Sequence, residues 1–380
     1  MESKWEKILL KDICDYKTGR LNSNAAEDDG VYPFFTCSPE VFKISTYAFD
    51  QDAVILGGNN ANGKFPLKRY EGKFNAYQRT YVMASKNNDI IDNTYLYYYL
   101  LYKLNYLKNL SIGSATKFLT KTILDRLEIN YPKDNHQMKL IGQILAKIDS
   151  KISLNQDIIS NLEHLSQTLF KHWFINFEFP NELGQPYKSS GDEMVESELG
   201  EIPIIFNTGT IKDFCELKYG KALTKKNRIP GSYPVYGSGG ITGTHKEYLI
   251  KGPGLIIGRK GSIGTLYLEA NNFYPIDTVY YVESKTYPIN FLHQFFKQYD
   301  FTQANNDSAV PGLNREFVYN TKAIIPDPVL VRKFEKILNP MYEKINNLLK
   351  ENQQLSELRD TLLPKLLSGE IEISDELVVD

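Results

Sequence analysis

Ala53 to Pro66, AVILGGNNANGKFP, places a glycine, four residues, a second glycine and a lysine behind a short apolar run. That spacing is most of a phosphate-cradling loop, in which backbone N–H groups wrap phosphates and a hydroxyl after the lysine holds Mg²⁺. The residue after Lys64 is Phe65, whose ring ligates no metal. Pro66 also turns Phe65 away from the helical region, just where such a loop must begin its helix. Three other spacings invite chemistry and fall short. Asn339-Pro340-Met341-Tyr342 lacks one proline of the N-P-P-[YF] motif of amino-methyltransferases, and no G-x-G-x-x-G follows a strand to hold a cofactor. Asp52 with Glu71-Gly72-Lys73 imitates the carboxylates and lysine of a metal-dependent nuclease, without a counterpart in the second half of the chain. The histidines, at positions 136, 164, 172, 245 and 293, form no H-E-x-x-H or H-x-x-x-H set. The expectation is therefore a chain with no catalytic residue and no metal ligand.

Internal repetition explains the glycines better. Lys11-Asp12-Ile13-Cys14-Asp15 returns 201 residues later as Lys212-Asp213-Phe214-Cys215-Glu216, and the same offset carries Tyr32-Pro33 to Tyr233-Pro234, Gly57 to Gly258 and Gly63 to Gly264. AVILGGNNANG and LIIGRKGSIG are thus two copies of one strand-and-glycine-turn element, and the second lacks the G-K-[ST] ending. A shared backbone turn needing φ > 0 or close approach accounts for both copies. Ser114-Ala115 and Leu119 correspond to Ser308-Ala309 and Leu313, and Tyr131-Pro132 to Ile325-Pro326.

Both copies run into a helical pattern. Met138, Ile141, Leu145, Ile148, Ile152, Asn155, Ile159, Leu162, Ser166 and Leu169 fall at alternating steps of three and four. Phe334, Leu338, Met341, Ile345, Leu348, Asn352, Leu355, Arg359 and Leu362 repeat the phase 193 residues later. Sustained heptad spacing is the signature of a coiled coil, and Asn155 and Asn352 are polar breaks of the kind that fix register. Two such helices in register predict pairing with each other.

Composition bounds the rest. A chain of 380 residues suggests two or three domains, and a formal net charge of -2 confines any nucleic-acid surface to local patches. The 26 Tyr and 20 Phe suit strands and contact surfaces. Three scattered cysteines, Cys14, Cys37 and Cys215, fit a reducing compartment, and neither a secretory signal nor a membrane span is expected. TYLYYYLLYKLNYL reads as an amphipathic helix under a sheet. The polar stretch FEFPNELGQPYKSSGDEMVESELGEIP reads as a linker between the first long helix and the second globular unit.

The paired K-D-[IF]-C starts, the linker residues Pro186-Tyr187-Lys188-Ser189-Ser190 and Glu196-Ser197-Glu198-Leu199-Gly200-Glu201-Ile202-Pro203, and the ending LRDTLLPKLLSGEI together resemble the specificity subunit of Type I restriction-modification systems. Linkers of that family commonly run from E-[IL]-P into a Trp, where this chain has Ile204-Ile205-Phe206. The resemblance implies an α+β fold of two tandem mixed α/β target recognition domains, each followed by a long helix, the two helices pairing as an antiparallel coiled coil. The expected boundaries are a first recognition domain at 1–132, a spacer helix at 133–176, a linker at 177–207, a second recognition domain at 208–326, a second spacer helix at 327–370 and a tail at 371–380.

It further implies that each domain reads one half of a bipartite site in double-stranded DNA and that two methyltransferase subunits dock on the helices. Two restriction subunits would complete the complex. S-adenosylmethionine, ATP and Mg are expected in those partners and no cofactor in this chain, in the cytoplasm and without a membrane. A 32-residue helix from Met138 to Leu169 would span ~48 Å, or ~14 base pairs. The spacer is expected to pair through Ile141, Leu145, Ile148, Ile152, Ile159 and Leu162 with Leu338, Met341, Ile345, Leu348, Leu355 and Leu362.

DNA-contact candidates lie on the glycine turns and nearby basic segments. In the first unit these are Lys64, Lys68, Arg69, Lys73 and Arg79, interleaved with Tyr77 and Gln78. In the second they are Lys221, Lys225, Lys226 and Arg228, then Arg259, Lys260 and Ser262. Ser114, Thr116 and Lys117, and Asn305 and Asn306, precede the last strand of each repeat and add small donors. Lys and Arg suit phosphates, whereas Arg, Gln and Asn reach base edges. A solvated charged face and plain turns remain the alternative for these groups. For the whole chain the alternatives are a self-contained DNA nuclease or methyltransferase, or a coiled-coil scaffold without DNA contact.

Overall fold

A computed structural model describes residues 4–61, 63–113, 116–303 and 312–373. The chain divides into two compact units, Met1–Leu154 with Glu351–Asp380, and Asn155–Lys350. Each long helix therefore gives one half to each unit.

The first unit is built on a six-stranded sheet in the order Cys14–Thr18, Thr80–Ser85, Phe49–Gly57, Leu67–Ala76, Tyr32–Phe35, Val41–Ile44. Ala53 to Leu56 is a continuous apolar run because the central strand is buried on both faces. The tyrosine-rich helix Asn93–Leu110 covers one face, and its start is capped by Asp92, whose carboxylate accepts from the Tyr95 N–H at 2.7 Å. The second unit carries a four-stranded sheet, Cys215–Tyr219, Val279–Ser284, Gly254–Gly258, Leu266–Glu269, and a three-stranded one, Gly240–His245, Tyr233–Gly237, Tyr274–Pro275.

The K-D-[IF]-C repeat is one helical turn, Leu10–Ile13 and Ile211–Phe214. In both copies the preceding strand pairs with the last strand of the domain, Trp5–Leu9 with Glu128–Pro132 and Asn207–Thr210 with Lys322–Ile325. A lysine closes each turn, Lys86 on the Lys11 carbonyl at 2.9 Å and Lys285 on that of Lys212 at 2.8 Å. Burial pushes the thiols of Cys14 and Cys215 up to about 12, so both are core side chains rather than nucleophiles.

The long helices are Asn135–Phe170, followed by a wide turn at Lys171–Ile175, and Pro328–Ser368. They pair antiparallel within each unit. In the first, Asp149 meets Arg359 and Lys151 meets Glu351; in the second, Phe170 and Trp173 pack on Phe334. Ile141, Leu145, Leu338, Ile345 and Leu348 are buried, and Ile148, Ile152, Ile159, Leu162, Met341, Leu355 and Leu362 are half-buried. Fully burying such a side chain contributes about 1.5–3 kcal/mol, and the half-buried ones contribute less.

Where helices and domain meet, each unit holds a polar triad at equivalent positions. In the first, Asp149 accepts from the Tyr98 hydroxyl at 2.8 Å and from Arg359 Nη1 at 2.7 Å. In the second, Gln294 Nε2 donates to Ser166 Oγ at 2.8 Å and to the Tyr342 hydroxyl at 2.7 Å, and His293 Nδ1 lies 3.0 Å from that hydroxyl. Burial pushes the His293 imidazole down to about 3, which keeps it neutral. The first triad is charged and the second neutral. Arg359→Ala should strip Asp149 of its charged partner and cost about 2 kcal/mol. A double-mutant cycle with Asp149→Ala, followed by urea denaturation, should give a double variant less destabilised than the sum of the singles; additivity would show that the pair contributes nothing.

The segment read as a linker is folded. Met194–Ser197 and Gly200–Pro203 form a hairpin, and Phe177, Phe179, Tyr187, Ile202 and Phe206 enter the core of the second unit. Its polar residues face outward while its aromatics, spaced too irregularly to show a period, face in.

Candidate nucleic-acid interface

The base of the glycine turn is held by matching bonds in both domains, although Gly63 donates to the Asn60 carbonyl at 3.3 Å and Gly264 to that of Gly258 at 2.9 Å. The Gly57 N–H donates to the Pro66 carbonyl and the Gly258 N–H to that of Thr265, each at 2.8 Å. The next residue donates across the sheet, Gly58 to Arg79 at 2.8 Å and Arg259 to Thr278 at 2.9 Å. Its own carbonyl accepts from the N–H of Leu119 or Leu313, both at 2.8 Å. A tyrosine hydroxyl then donates to that leucine's carbonyl, Tyr81 to Leu119 at 3.0 Å and Tyr280 to Leu313 at 3.1 Å. Burial pushes the Tyr280 hydroxyl up to about 12, so it keeps the proton it donates. Gly63 and Gly264 both hold positive φ, +67° and +74°, where glycine carries no side-chain penalty. The N–H groups of Gly57, Gly58, Gly63 and Lys64 are spent inside the fold, so these four are not free to cradle a phosphate.

Different side chains stand on this common scaffold. In the first domain the Arg79 guanidinium lies 5.3 Å from the Phe118 ring centroid and the Lys121 amine 5.7 Å from that of Tyr16. A concavity of about 450 Å³ opens among Thr18, Gly58, Arg79, Tyr81 and Lys121. In the second domain Arg259 lies 5.0 Å from the ring centroid of Tyr219 and 5.8 Å from that of Tyr280, with Nη2 donating to the Asp277 carbonyl at 2.8 Å. Arg315 lies 5.3 Å from the Tyr219 centroid and 5.7 Å from that of Tyr319. Tyr219 is 50% exposed, so two guanidiniums share one ring at the surface. Such contacts are worth about 0.5–1 kcal/mol at exposed sites and orient the guanidinium fork for a planar partner.

The other sequence candidates divide by what they touch. Lys64, Lys73, Gln78, Lys221, Lys225, Lys226, Lys260 and Ser262 are exposed, with Lys73 stacked 4.8 Å from the Tyr47 centroid and Gln78 donating to Asn22 at 3.1 Å. Tyr77, Thr116 and Lys117 are half-buried, and the Lys117–Phe118 strand pairs with Asn59–Asn60 beside the turn. Arg69 grips Asp52 through two bonds at 2.9 and 3.0 Å, and Lys68 donates to the carbonyls of Ser38 and Glu40 at 3.1 and 3.3 Å. Arg228 Nη1 donates to the Thr242 carbonyl at 2.7 Å. These three cations are engaged within their own domains. Ser114, Asn305 and Asn306 lie outside the described residues.

The model of the Type I restriction modification DNA specificity domain matches this chain twice, over residues 2–164 and 203–357. The chain belongs to that family. The two matches follow the sequence repeat, each covering one globular domain and part of the helix behind it. Among relatives of this specificity family, the Type I restriction enzyme EcoDI specificity subunit of Escherichia coli is 33% identical over 190 residues, which are 50% of this chain and only 40% of that protein. The MjaIX specificity subunit of Methanocaldococcus jannaschii is 27% identical over 367 residues, 89% of this chain and 80% of the relative. The crystal structure of a Type I restriction-modification S subunit from M. genitalium superposes with a TM-score of 0.67 at 20% identity, covering 95% of this chain and 96% of that one, and so shares the fold.

In this specificity-family chain the motifs that imitate enzymes have structural employment. Asn339 Oδ1 accepts from Asn290 Nδ2 at 2.9 Å, and Tyr342 belongs to the second triad, both within a continuous helix. Asp52 is held by Arg69 and by Asn93 Nδ2 at 3.0 Å. Among the described residues no group of three or more His, Cys, Asp or Glu side chains has the geometry to hold a metal ion, and no helix is long and apolar enough to cross a membrane. Sequence reasoning missed Lys121 and Arg315. The signal was available: each is the residue two positions after the paired Leu119 and Leu313, at the start of a short helix.

Proposed function

We propose that each globular domain reads one half of a bipartite site in double-stranded DNA and that the paired helices set the gap between the halves. The observation that carries this is the duplicated scaffold, which in each domain sets cations on aromatic rings beside the same glycine turn, with Lys121 and Arg315 at equivalent positions. Cations stacked on rings suit a polyanion with planar bases. The first helix, at 36 residues, spans ~54 Å, enough for ~16 base pairs. The seam faces inward, which leaves the outer faces of the helices for two methyltransferase subunits, with two restriction subunits completing the complex. Adenine methylation and cleavage belong to those partners, which would bind S-adenosylmethionine, ATP and Mg in the cytoplasm, and this chain supplies no catalytic group.

The test is a map of modified adenines in a host carrying the methyltransferase partner, with and without this gene. A bipartite motif that requires the gene is the expected result; a motif indifferent to it would overturn the reading. A second measurement addresses the phosphate contacts. Lys225→Ala with Lys226→Ala should weaken DNA binding by the assembled complex at every sequence alike and flatten the slope of log affinity against log salt by up to about 2. An unchanged slope would remove these lysines from the interface.

A further inference from the structure

The two domains share the bonds that anchor the glycine turn to the neighbouring strand, the paired leucine and the tyrosine hydroxyl, yet the side chains that stand on them differ. Thr18 and Tyr219 occupy one position, opposite Tyr81 and Tyr280 in the strand register. Gly58 and Arg259 occupy a second, and Lys121 and Arg315 a third, each opening a short helix behind the same leucine. Arg79 of the first domain is matched by Thr278. Phosphates are the same in every half-site, so groups that contact only phosphate have no reason to change between two readers. Base edges differ between half-sites, so groups that read them must change. A constant frame with variable side chains is what the second requirement predicts.

The variation also changes shape. Thr18 and Gly58 are small and leave the concavity of about 450 Å³ flanked by Arg79 and Lys121. At the same place in the second domain Tyr219 carries Arg259 on one contact and Arg315 on another. Neither Nε has a hydrogen-bond partner, although Glu316 Oε1 lies 3.9 Å from that of Arg315, so the Tyr219 ring, together with the Arg259 Nη2 bond to the Asp277 carbonyl, directs the forks.

We infer that these three paired positions determine which bases each domain reads, and that the Arg259, Tyr219 and Arg315 stack in the second domain takes a guanine edge. The guanidinium fork matches guanine O6 and N7 in the major groove, and a ring behind it holds that geometry at little entropic cost. The inference rests on the DNA-reading function proposed above.

Arg315→Lys in the full chain, assembled with the methyltransferase partner, separates base reading from charge. Lysine keeps the charge and loses the two-point geometry. In a map of modified adenines, the second half-site should lose its demand for one G·C pair, with discrimination at that position falling roughly ten-fold. The first half-site should stay intact. Arg259→Lys should relax a neighbouring position in the same half. Two outcomes overturn the inference: a motif that stays complete in both variants, or methylation that falls evenly at all sites with the motif unchanged, which assigns these arginines to phosphates. The wild-type complex run alongside keeps the two ideas apart, since a wild type without any gene-dependent motif fails the DNA-reading function itself.

Discussion

Phe334→Ala should lower the stability of the second unit by about 3–5 kcal/mol, the range for truncating a large buried aromatic. Phe334 is fully buried, and its ring centroid lies 5.1 Å from that of Trp173, 5.0 Å from Phe174 and 6.2 Å from Phe170. These rings bring the end of the first long helix onto the start of the second, so their packing is the contact that closes the antiparallel pair in this unit. Trp5 and Trp173 are the chain's two tryptophans and fall one in each unit, which lets fluorescence follow the units separately. In a Trp5→Phe background, urea should unfold the Trp173 signal of the variant at a midpoint lower by more than about 1 M. An unshifted midpoint would mean that the helix end is held by something other than this cluster.

Matched insertions in the two spacer helices should change the gap of the recognised motif and leave its half-sites alone. Seven residues added between Leu154 and Asn155, and seven between Lys350 and Glu351, enter both helices at the border of the two units. Seven preserves the phase of the seam, whereas insertions of three or four residues overwind or unwind it. The added length is ~10.5 Å, or ~3 base pairs. The expected result in a map of modified adenines is a motif with both halves unchanged and a gap about three base pairs longer. A single insertion in one helix should abolish methylation, because it offsets Asp149 from Arg359 or Ser166 from Tyr342. An unchanged gap after the matched insertions would show that the helices do not set the distance.

The sequence alone determined the tandem organisation, because a repeat offset near 200 residues and a heptad phase are properties of position along the chain and require no knowledge of contacts. Cys14 and Cys215, Gly63 and Gly264, and Leu119 and Leu313 were all legible as pairs, and in the structure each pair performs one backbone or core role. The helical seam was legible for the same reason, down to Ser166 and Arg359 as members of its phase. What those two residues do was not legible. Arg359 meets an aspartate 210 positions away and Ser166 a glutamine 128 positions away, and only packing brings such partners together.

The same limit applied at the candidate interface. Charge clusters in sequence put Arg69 and Lys68 beside Lys64 and Lys73, yet the strand pairing turns Arg69 onto Asp52 and Lys68 onto backbone carbonyls. Conversely Lys121 and Arg315 sit apart from any basic run, and the fold places them against Tyr16 and Tyr219 from the far end of each domain. The supposed linker hid its role because aromatics at Phe177, Phe179, Tyr187 and Phe206 follow no period, and burial is decided by the surface they meet. Periodicity is local and survives in one dimension; which charge is spent on the fold and which is left at the surface depends on contacts the chain makes only once folded.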